Sequence, residues 1–208
     1  MRKLEKEDLL LPQEVLLPAG VHIGARVKTK DMEPFIFQVK PDGLIVLDIR
    51  KFDERIKIAA KFISKFESPS VIVVSSQSYG EGPVRKFCEV TKCVPIVGRF
   101  LPGTFSNPAY ASKLKPKLVV ILDPKVDRQA VTEAVAMGIP IVAFCNTDNS
   151  LSNVDLCIPV NNKGRRSLAV AFWLLARQIL RERGELKADG ELSVPIDDFE
   201  SKEEEVDQ

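Results

Sequence analysis

The sequence offers few side chains of the types that catalyse reactions at neutral pH. His22 is the only histidine among 208 residues, and its neighbours in the motif AGVHIG are apolar or glycine. In that setting we predict a structural hydrogen-bonding imidazole rather than a base or a metal ligand. A zinc site needs several cysteines and histidines at close spacing, which this chain lacks. We therefore predict no catalytic residues, no metal and no cofactor, and we expect the four cysteines to be small core residues: Cys88, Cys93, Cys145 and Cys157.

One loop has the composition of a phosphate site. The segment SSQSYGEGP, residues 75–83, follows an apolar run and opens a helical pattern, so its serines and backbone N–H groups are candidates to hold a phosphate. Gly80 and Gly82 resemble the start of a G-x-G-x-x-G motif, but Arg85 replaces the glycine that allows close packing. We favour a polar loop that caps the helix.

Four aspartates are candidates for an acidic cluster. Their neighbours, as in Asp-Pro and Asp-Asn-Ser, are typical of turns and helix caps, and we favour that interpretation. The chain contains neither a Walker lysine motif nor a G-x-S-x-G elbow. The aspartates are Asp123, Asp127, Asp148 and Asp155.

A long segment, GRFLPGTFSNPAYASKLKPK, combines basic and aromatic residues between positions 98 and 117. Prolines and glycines interrupt it, and a long ordered loop in a compact domain is often functional. Phosphates bind cations and unstacked bases pack on flat rings, so the mixture suits irregular RNA. A lid over a small substrate explains the same pattern equally well. The alternating residues are Arg99, Phe100, Phe105, Tyr110, Lys113, Lys115 and Lys117.

Two further basic patches favour a polyanion over a small substrate. One is Arg26, Lys28 and Lys30, just after His22; the other is Lys163, Arg165 and Arg166, before the last helix. Contacts at several places on one surface suit a nucleic acid backbone. A lysine stripe at positions 57, 61 and 65 is typical of a solvated helix face and carries little weight.

The elements that must position these residues alternate between apolar strands and amphipathic helices. Strands covered on both faces are apolar throughout, and parallel neighbours need crossover helices, so we predict an α/β fold: a three-layer α/β/α sandwich with a mainly parallel sheet. The predicted strands are 35–39, 44–49, 71–74, 94–97, 118–122, 141–144 and 156–160, and the predicted helices are 50–67, 80–92, 128–137 and 167–183.

In such folds, ligands bind beyond the carboxyl ends of the strands. Four loops are therefore expected at one edge of the sheet: 75–82, 98–116, 123–127 and 145–154.

Composition and charge bound the remaining possibilities. The longest apolar run, 168–176, has nine residues, well short of the roughly 20 that cross a bilayer. The first residues lack the apolar region of a signal peptide, so we expect a cytoplasmic protein. Residues 1–184 carry 28 basic and 19 acidic side chains, whereas 185–208 carry two and ten. A basic body that meets a polyanion and simple solubility charge explain this asymmetry equally well.

Four motifs in this chain resemble the small-subunit ribosomal protein S-two family, in its archaeal and eukaryotic branch that includes the laminin-receptor homologue. The bacterial branch inserts a helical hairpin after the first strands, and this chain has no room for one. The motifs are LLPAGVHIG, GRFLPGTFSNP, PKLVVILDPKVDRQAVTEAVAMGIPIVAFCNTDN and VDLCIPVNNKGRRSLAVAFWLLARQILRERG, which span most of 16–184.

The resemblance implies a flavodoxin-like domain without enzymatic activity, which binds small-subunit rRNA and neighbouring ribosomal proteins and helps the particle to assemble. It makes Arg99, Thr104, Asn107 and the lysines after them candidate rRNA contacts, and makes 161–164 the turn into the last helix. Metal-binding relatives use an extra histidine near the first motif, where this chain has Ala25. The resemblance thus implies no metal, no membrane and no small-molecule substrate.

We divide the chain into an N-terminal extension with a helix and a basic loop (1–34), an α/β RNA-binding domain (35–184) and an acidic tail expected to be disordered (185–208). The main alternative function is an α/β nucleotide- or phosphosugar-binding enzyme that uses the 75–82 loop. A dimeric interaction protein is a third hypothesis, and it requires a large exposed apolar patch.

Overall fold

A parallel sheet of five strands forms the centre of the molecule. The computed structural model of the chain describes residues 9–187 and 190–201. A separate antiparallel hairpin, β1 (Ile36–Val39) and β2 (Ile45–Leu47), precedes the sheet. The sheet has the order β4-β3-β5-β6-β7. Its strands are β3 (Val71–Ser75), β4 (Val94–Val97), β5 (Leu118–Ile121), β6 (Ile141–Cys145) and β7 (Leu156–Pro159).

Helices cover both faces of this sheet. On one face α2, α3 and α6 pack together, and on the other lie α4, α5 and a short 3-10 helix at Glu33–Phe35. This is the three-layer α/β/α sandwich that the alternation of elements predicts, and the prediction of fold class is confirmed. The helices are α1 (Gln13–Leu16), α2 (Ile49–Ile63), α3 (Ser78–Thr91), α4 (Pro108–Leu114), α5 (Arg128–Ala136) and α6 (Arg165–Glu182).

The apolar strands divide the core into two layers. In β3, Val71 and Val73 point into the core beneath α3 and α6, while Ile72 and Val74 point into the core on the opposite face. Side chains alternate along a strand, so a strand with a helix layer on each side must be apolar at every position. Every residue of β3 is buried, and so is every residue of β5 and β6.

Polar residues at the ends of the elements explain their boundaries. The Asp48 carboxylate accepts a hydrogen bond from the Arg50 amide at 2.9 Å and caps α2. Gly43 has φ of +80°, which suits the turn between β1 and β2, and its amide donates to the Lys40 carbonyl at 2.9 Å. Residues 40–43 therefore form a tight turn between the two strands of the hairpin.

The long segment after β4 contains a helix that its residue pattern does not predict. Asn107 accepts a hydrogen bond from the Ala109 amide at 3.0 Å, and Pro108 occupies the first position of α4. Both residues are typical of a helix start. The helix has seven residues with no buried side chain, so it lacks the apolar periodicity by which longer helices are recognised.

The first part of the acidic tail lies against the domain, which differs from the expectation of disorder. Phe199 is completely buried between α3 and α6, within a 3-10 helix at Ile196–Phe199. The Trp173 indole donates to the Val194 carbonyl at 2.8 Å, and the Ser201 hydroxyl donates to the Tyr79 carbonyl at 2.6 Å. The expectation for 202–208 lies outside the described residues, and the three-part division of the chain stays a prediction.

Within residues 9–187 and 190–201, no helix is both long enough and apolar enough to cross a bilayer.

Candidate nucleic-acid interface

A network of buried polar side chains joins the loops at the carboxyl edge of the sheet. The Asp127 carboxylate accepts a hydrogen bond from the Ser76 amide at 2.9 Å, which links the loops after β5 and β3. Asp123 accepts one from the Gln77 side chain at 3.1 Å and one from the Asn149 side chain at 2.7 Å. These bonds bring together the loops after β3, β5 and β6, as their position at the ends of parallel strands predicts.

Asn162 connects a further loop, the turn between β7 and α6, to the same network. Its amide nitrogen lies 3.4 Å from the Leu122 carbonyl, 3.2 Å from the Phe144 carbonyl and 3.1 Å from the side-chain oxygen of Asn149. Asn162 is fully buried, so these acceptors replace water at its amide nitrogen, while its side-chain oxygen has no partner among the described residues. It thereby holds the turn into α6 against the carboxyl ends of β5 and β6.

The four aspartates do not form one acidic cluster. Asp155 accepts a hydrogen bond from the amide of Ile141, the first residue of β6, and so lies at the amino edge. Asp123 accepts the Lys125 amide at 2.9 Å, which is the turn geometry that we favour. Within 9–187 and 190–201, no group of three or more acidic, histidine or cysteine side chains has the arrangement of a metal site.

The serine-rich loop after β3 is a poor phosphate site. Asp127 already occupies the Ser76 amide, and the Ser75 hydroxyl donates to the Gln77 carbonyl at 3.3 Å. Burial raises the pKa of Asp127, and its hydrogen bonds from Ser76 oppose that shift. Asp123 also faces this loop, so a phosphate here would meet carboxylates. The predicted cap of α3 is absent too, because the side chain of the N-cap residue, Gln77, makes no hydrogen bond to the first amides of the helix.

His22 lies at the β1–β2 hairpin rather than in the network. Its carbonyl accepts the Leu47 amide at 2.8 Å, but the imidazole Nδ1 is buried with no hydrogen-bond partner among the described residues. The predicted structural role is thus carried by the backbone and not by the ring. Burial, followed by the charge of Lys40, lowers the pKa of the imidazole, which favours the neutral form. All four cysteines are buried and free, as expected.

The first basic patch lies directly over the loop after β6. The Ala25 amide donates to the Thr147 hydroxyl at 2.9 Å, and the Thr29 amide donates to the Thr147 carbonyl at 3.0 Å. This approach requires Gly24, since a Cβ there would lie 2.6 Å from the Thr147 methyl carbon and 2.7 Å from the Ile45 carbonyl oxygen. Residues 25–30 therefore reach the carboxyl edge, although they precede the sheet by more than 40 positions.

Within this patch the three cations differ in their pairing. Lys28 forms an ion pair with Glu33 at 2.9 Å, and the hydrogen bond and charge of Lys28 lower the pKa of that carboxyl group. Arg26 and Lys30 are exposed and make no ion pair with a residue of the described part of the chain. They are the two cations of this loop that are available to a phosphate backbone.

The patch before α6 is at the same edge and is largely paired with acids. Lys163 lies 2.8 Å from Asp148, and Lys125 lies 3.5 Å from the same carboxylate. Burial alone would raise the pKa of Asp148, but the hydrogen bond and charge of Lys163 bring it below its ordinary value. Arg166 pairs with Asp197 and with Glu200, the latter at 2.9 Å.

Two further residues complete the edge. Arg165 is exposed at the first position of α6, next to Arg166. Lys125 is absent from our predicted site, although its position directly after β5, in Asp-Pro-Lys, is a signal that could have identified it. The turn 161–164 has the expected shaping contact, since the Asn161 side chain accepts the Lys163 amide at 3.2 Å.

The long segment 98–117 crosses the molecule instead of forming one contact site. The Gly98 amide donates to the carbonyl of Ser75, the last residue of β3, while the Lys117 amide donates to the carbonyl of Ser70, just before that strand. Arg99 therefore belongs to the carboxyl edge. Lys113 and Lys115 lie at the end of α4, near the amino edge, and form a separate basic site.

The aromatic residues of this segment are mostly structural, which corrects the expectation that they alternate with cations on the surface. Phe100 and Phe105 are buried, with ring centroids 5.1 Å apart, and they fill the core beneath α5. Tyr110 is 60% exposed and is the one ring of the three that is open to a base. The Thr104 hydroxyl donates to the Leu101 carbonyl at 2.6 Å, and Asn107 caps α4, so both side chains already shape the loop.

Glu133 of α5 holds this loop in place and was not predicted. Its carboxylate accepts hydrogen bonds from the amides of Gly103 at 2.7 Å and Phe105 at 3.0 Å, and a longer one from Ser106 at 3.4 Å. The Gln129 side chain adds a fourth at 2.8 Å. A buried acid on the apolar face of a helix was the available signal, because such a charge must find donors.

Comparison with known proteins gives consistent matches over nearly the whole chain. A family model described as Ribosomal protein S2 matches residues 16–114 and 109–182. The small ribosomal subunit protein uS2 of Thermofilum pendens is 53% identical over 200 residues, which cover 96% of this chain and 94% of the relative. The proteins of the same name from Staphylothermus marinus and Saccharolobus solfataricus are 54% identical over 195 residues and 50% identical over 205 residues. These two matches cover 94% and 97% of this chain, respectively, and 89% of each relative.

Proposed function

This chain belongs to the ribosomal protein S2 family, and from that premise we propose that it binds small-subunit rRNA and neighbouring ribosomal proteins, and so helps to assemble and stabilise the particle. Its role is that of a structural ribosomal component and not of an enzyme. The family resemblance read from the sequence motifs is confirmed, and the archaeal relatives agree with the archaeal branch. The cytoplasmic location expected from the sequence is part of the proposal.

One observation supports the proposal most directly: basic residues from four separate segments converge at the carboxyl edge of the sheet. A nucleic acid backbone favours such a surface, because each phosphate contact by Lys or Arg releases condensed counterions. Arg26, Lys30 and Arg99 carry this argument, since they are exposed and make no ion pair within 9–187 and 190–201. The full set at this edge is Arg26, Lys28, Lys30, Arg99, Lys125, Lys163, Arg165 and Arg166.

A second contact is proposed at the end of α4. Lys113 and Lys115 are exposed there, and Tyr110 presents its ring one turn earlier on the same helix. A ring and two cations side by side suit an unpaired base and its phosphates. The two sites lie at opposite edges of the sheet, so together they require a ligand that extends over the molecule.

The nucleotide- or phosphosugar-binding alternative has little support in the geometry. The loop that it would use is bonded to Asp127 and faces Asp123, which disfavour an anionic ligand. Family membership and the existing hydrogen bonds of this loop both disfavour the nucleotide- or phosphosugar-binding alternative.

The test compares two triple variants that each remove three positive charges. Arg26→Ala/Lys30→Ala/Arg99→Ala alters the proposed interface, and Lys51→Ala/Arg85→Ala/Lys86→Ala alters ion-paired cations on α2 and α3. Each variant competes with the unmodified chain for incorporation into reconstituted small subunits. Gradient sedimentation then separates the particles, so that the amount of each chain in them can be measured. We expect about a ten-fold or greater loss for the first variant, with a shallower salt dependence of rRNA binding, and little change for the second.

Equal incorporation of the two triple variants would contradict the assignment of this edge. Circular dichroism melting of both variants checks that the fold is retained. A Lys113→Ala/Lys115→Ala variant, measured in the same competition, reports separately on the site at α4.

A further inference from the structure

The β1–β2 hairpin leaves one strand edge without a partner in the described part of the chain. On one side β2 pairs with β1, with Val39 opposite Ile45. On its other side it pairs with residues 22–25, through the Leu47 amide to the His22 carbonyl and the Gly24 amide to the Ile45 carbonyl, both at 2.8 Å. Among the described strands β1 pairs with β2 alone. Its outer edge therefore presents free backbone donors and acceptors.

This edge is also apolar, which is unusual for an exposed strand. Phe37 is 62% exposed and Val39 is 55% exposed, and both belong to β1. Leu17 and Ile23, from the segment before the hairpin, are also large apolar side chains with substantial exposure. The register of β1 against β2 shifts between Ile36 and Gln38, so this strand has one of the bulges by which natural edge strands are protected, but its exposed apolar side chains still mark an interaction site.

A cavity of about 250 Å³ opens beside the strand. Phe37, Leu17, Leu47 and Ile49 supply apolar lining, and His22 contributes a ring whose buried Nδ1 has no partner within the described residues. The volume is below the roughly 300–1,000 Å³ of typical small-molecule sites. It suits one large apolar side chain of another polypeptide.

The charge around the cavity selects the chemistry of that polypeptide. Lys40, at the end of β1, is exposed and makes no ion pair with any residue in 9–187 or 190–201. The Asp48 carboxylate, which also lines the cavity, caps α2 by accepting the Arg50 amide. The unpaired Lys40 ammonium favours an acidic residue in the partner.

An RNA ligand fits this surface less well than a polypeptide. RNA is held mainly by cations on its phosphates, and the centre of this surface is apolar. An unpaired strand edge next to an apolar cavity is instead the arrangement by which a protein accepts an added strand, with backbone hydrogen bonds for affinity and a side-chain pocket for specificity.

We propose that the outer edge of β1 receives an extended segment of a neighbouring ribosomal protein, which adds a third strand to the hairpin, inserts one apolar side chain into the cavity and places an acidic side chain beside Lys40. The inference rests on the proposed function, because the partner is a component of the same particle. It goes beyond that function in naming the surface, the binding mode and the chemistry of the segment.

The first test places a photo-reactive residue, p-benzoyl-phenylalanine, at position 37 of the full chain and at position 137 as a control. Met137 is similarly exposed but lies beyond the end of α5, far along the chain from the hairpin. After assembly into small subunits and irradiation, we expect position 37 to cross-link to one segment of another ribosomal protein that carries apolar and acidic residues. Position 137 should not cross-link to that segment.

Cross-links from position 37 to rRNA, to a second copy of the chain or to its own residues 1–8 would each overturn the inference. An assembled particle with no cross-link at position 37 would overturn it as well. Failure of the unmodified chain to enter particles would instead contradict the proposed function on which the inference depends.

The second test uses the variant Phe37→Ser/Val39→Lys, with Val135→Ser/Met137→Lys as its matched control on α5 and the residue after it. We expect the first variant to bind purified small-subunit rRNA normally, while its particles lose at least ten-fold of the protein identified by cross-linking. Particles with a full complement of that protein would refute the inference. Loss of rRNA binding by the first variant alone would reassign the surface to RNA.

Discussion

Glu133 illustrates how single buried charges organise this protein. Its carboxylate binds three backbone amides of the 98–107 loop, so an acidic side chain positions a segment that carries a proposed RNA contact. Asp123 and Asn162 do the same for the loops at the carboxyl edge. The Glu133 and Asp123 carboxylates and the Asn162 amide nitrogen are compensated by hydrogen bonds, as burial in a low dielectric requires. These residues are structural and act on function only through the loops they hold.

Replacing Glu133 with Gln should destabilise the protein. The amide keeps the size of the side chain but loses the charge and turns one acceptor into a donor that faces backbone amides. Hydrogen bonds to a charged group contribute about 1.5–3 kcal/mol, so we expect the free energy of unfolding to fall by about 2–4 kcal/mol. Chemical denaturation measures it. The control is Glu89→Gln, which alters an exposed ion pair with Lys86 and should cost less than about 1 kcal/mol.

The stability difference between the unmodified protein and Glu133→Gln should also depend on pH. Burial alone would raise the pKa of Glu133, but the hydrogen bonds from Gly103, Gln129, Phe105 and Ser106 bring it below its ordinary value. A carboxyl group with a lowered pKa stabilises the folded state above its unfolded pKa of about 4.3, and this stabilisation is lost as pH falls through the folded value. The stability difference between the two proteins should therefore be constant near neutral pH and shrink below about pH 4. A difference that grew on acidification would refute the assignment.

Two elements of the fold depend on contacts that are distant in the chain. α4 is a short crossover helix without buried side chains, and the 3-10 helix at Ile196–Phe199 is held mainly by burial of Phe199 between α3 and α6. Neither has enough local periodicity to form alone, since short helices in water are marginal. The strands of the sheet are different, because their apolar composition already requires burial on both faces.

Phe199→Ala tests whether the C-terminal segment is part of the folded domain. Removing a fully buried ring leaves a cavity, and such changes cost about 3–5 kcal/mol in the free energy of unfolding. The loss should be accompanied by a change in the fluorescence of Trp173, the only tryptophan, whose indole bonds to Val194 in the same segment. Asp198→Ala, at an exposed position next to Phe199, is the control and should change neither signal. Unchanged stability in Phe199→Ala would mean that the segment does not contribute to the domain.

Charge is divided across the whole molecule between a basic body and an acidic C-terminal segment. Residues 1–184 have 28 basic and 19 acidic side chains, and the last 24 residues have two and ten. The structure brings part of this acidic segment back onto the body, where Asp197 and Glu200 pair with Arg166. The hydrogen bond to Asp197 and then that to Glu200 raise the pKa of Arg166, which stays charged. The segment therefore neutralises a cation at the proposed RNA interface.

Removing these two acids should strengthen RNA binding. In Asp197→Asn/Glu200→Gln the Arg166 side chain is released to contact a phosphate, so we expect about a three-fold or larger gain in affinity for purified small-subunit rRNA at low salt. The gain should shrink as salt is added. The charge-matched control is Glu81→Gln/Glu89→Gln, which releases Arg85 and Lys86 on α3. An equal gain in both variants would indicate a general charge effect and contradict a specific role of Arg166.

The sequence by itself determined the fold class, most element positions and the family. These properties follow from local information: β-branched apolar runs, helical periodicity, turn residues such as Pro-Asp-Gly and long ordered motifs. It also placed Arg26, Lys30 and Arg99 in loops, and the structure brings these loops to one edge because parallel strands end together.

Only the tertiary structure decided which of the predicted side chains are available. Phe100 and Phe105 have the same local composition as Tyr110, yet two are buried and one is exposed. Lys163 and Arg166 are paired with Asp148, Asp197 and Glu200, partners up to 34 positions away. The segment 98–117 is divided between two edges because it must connect the end of β4 to the start of β5. Burial and ion pairing depend on which distant residues meet, and local sequence patterns do not contain that information.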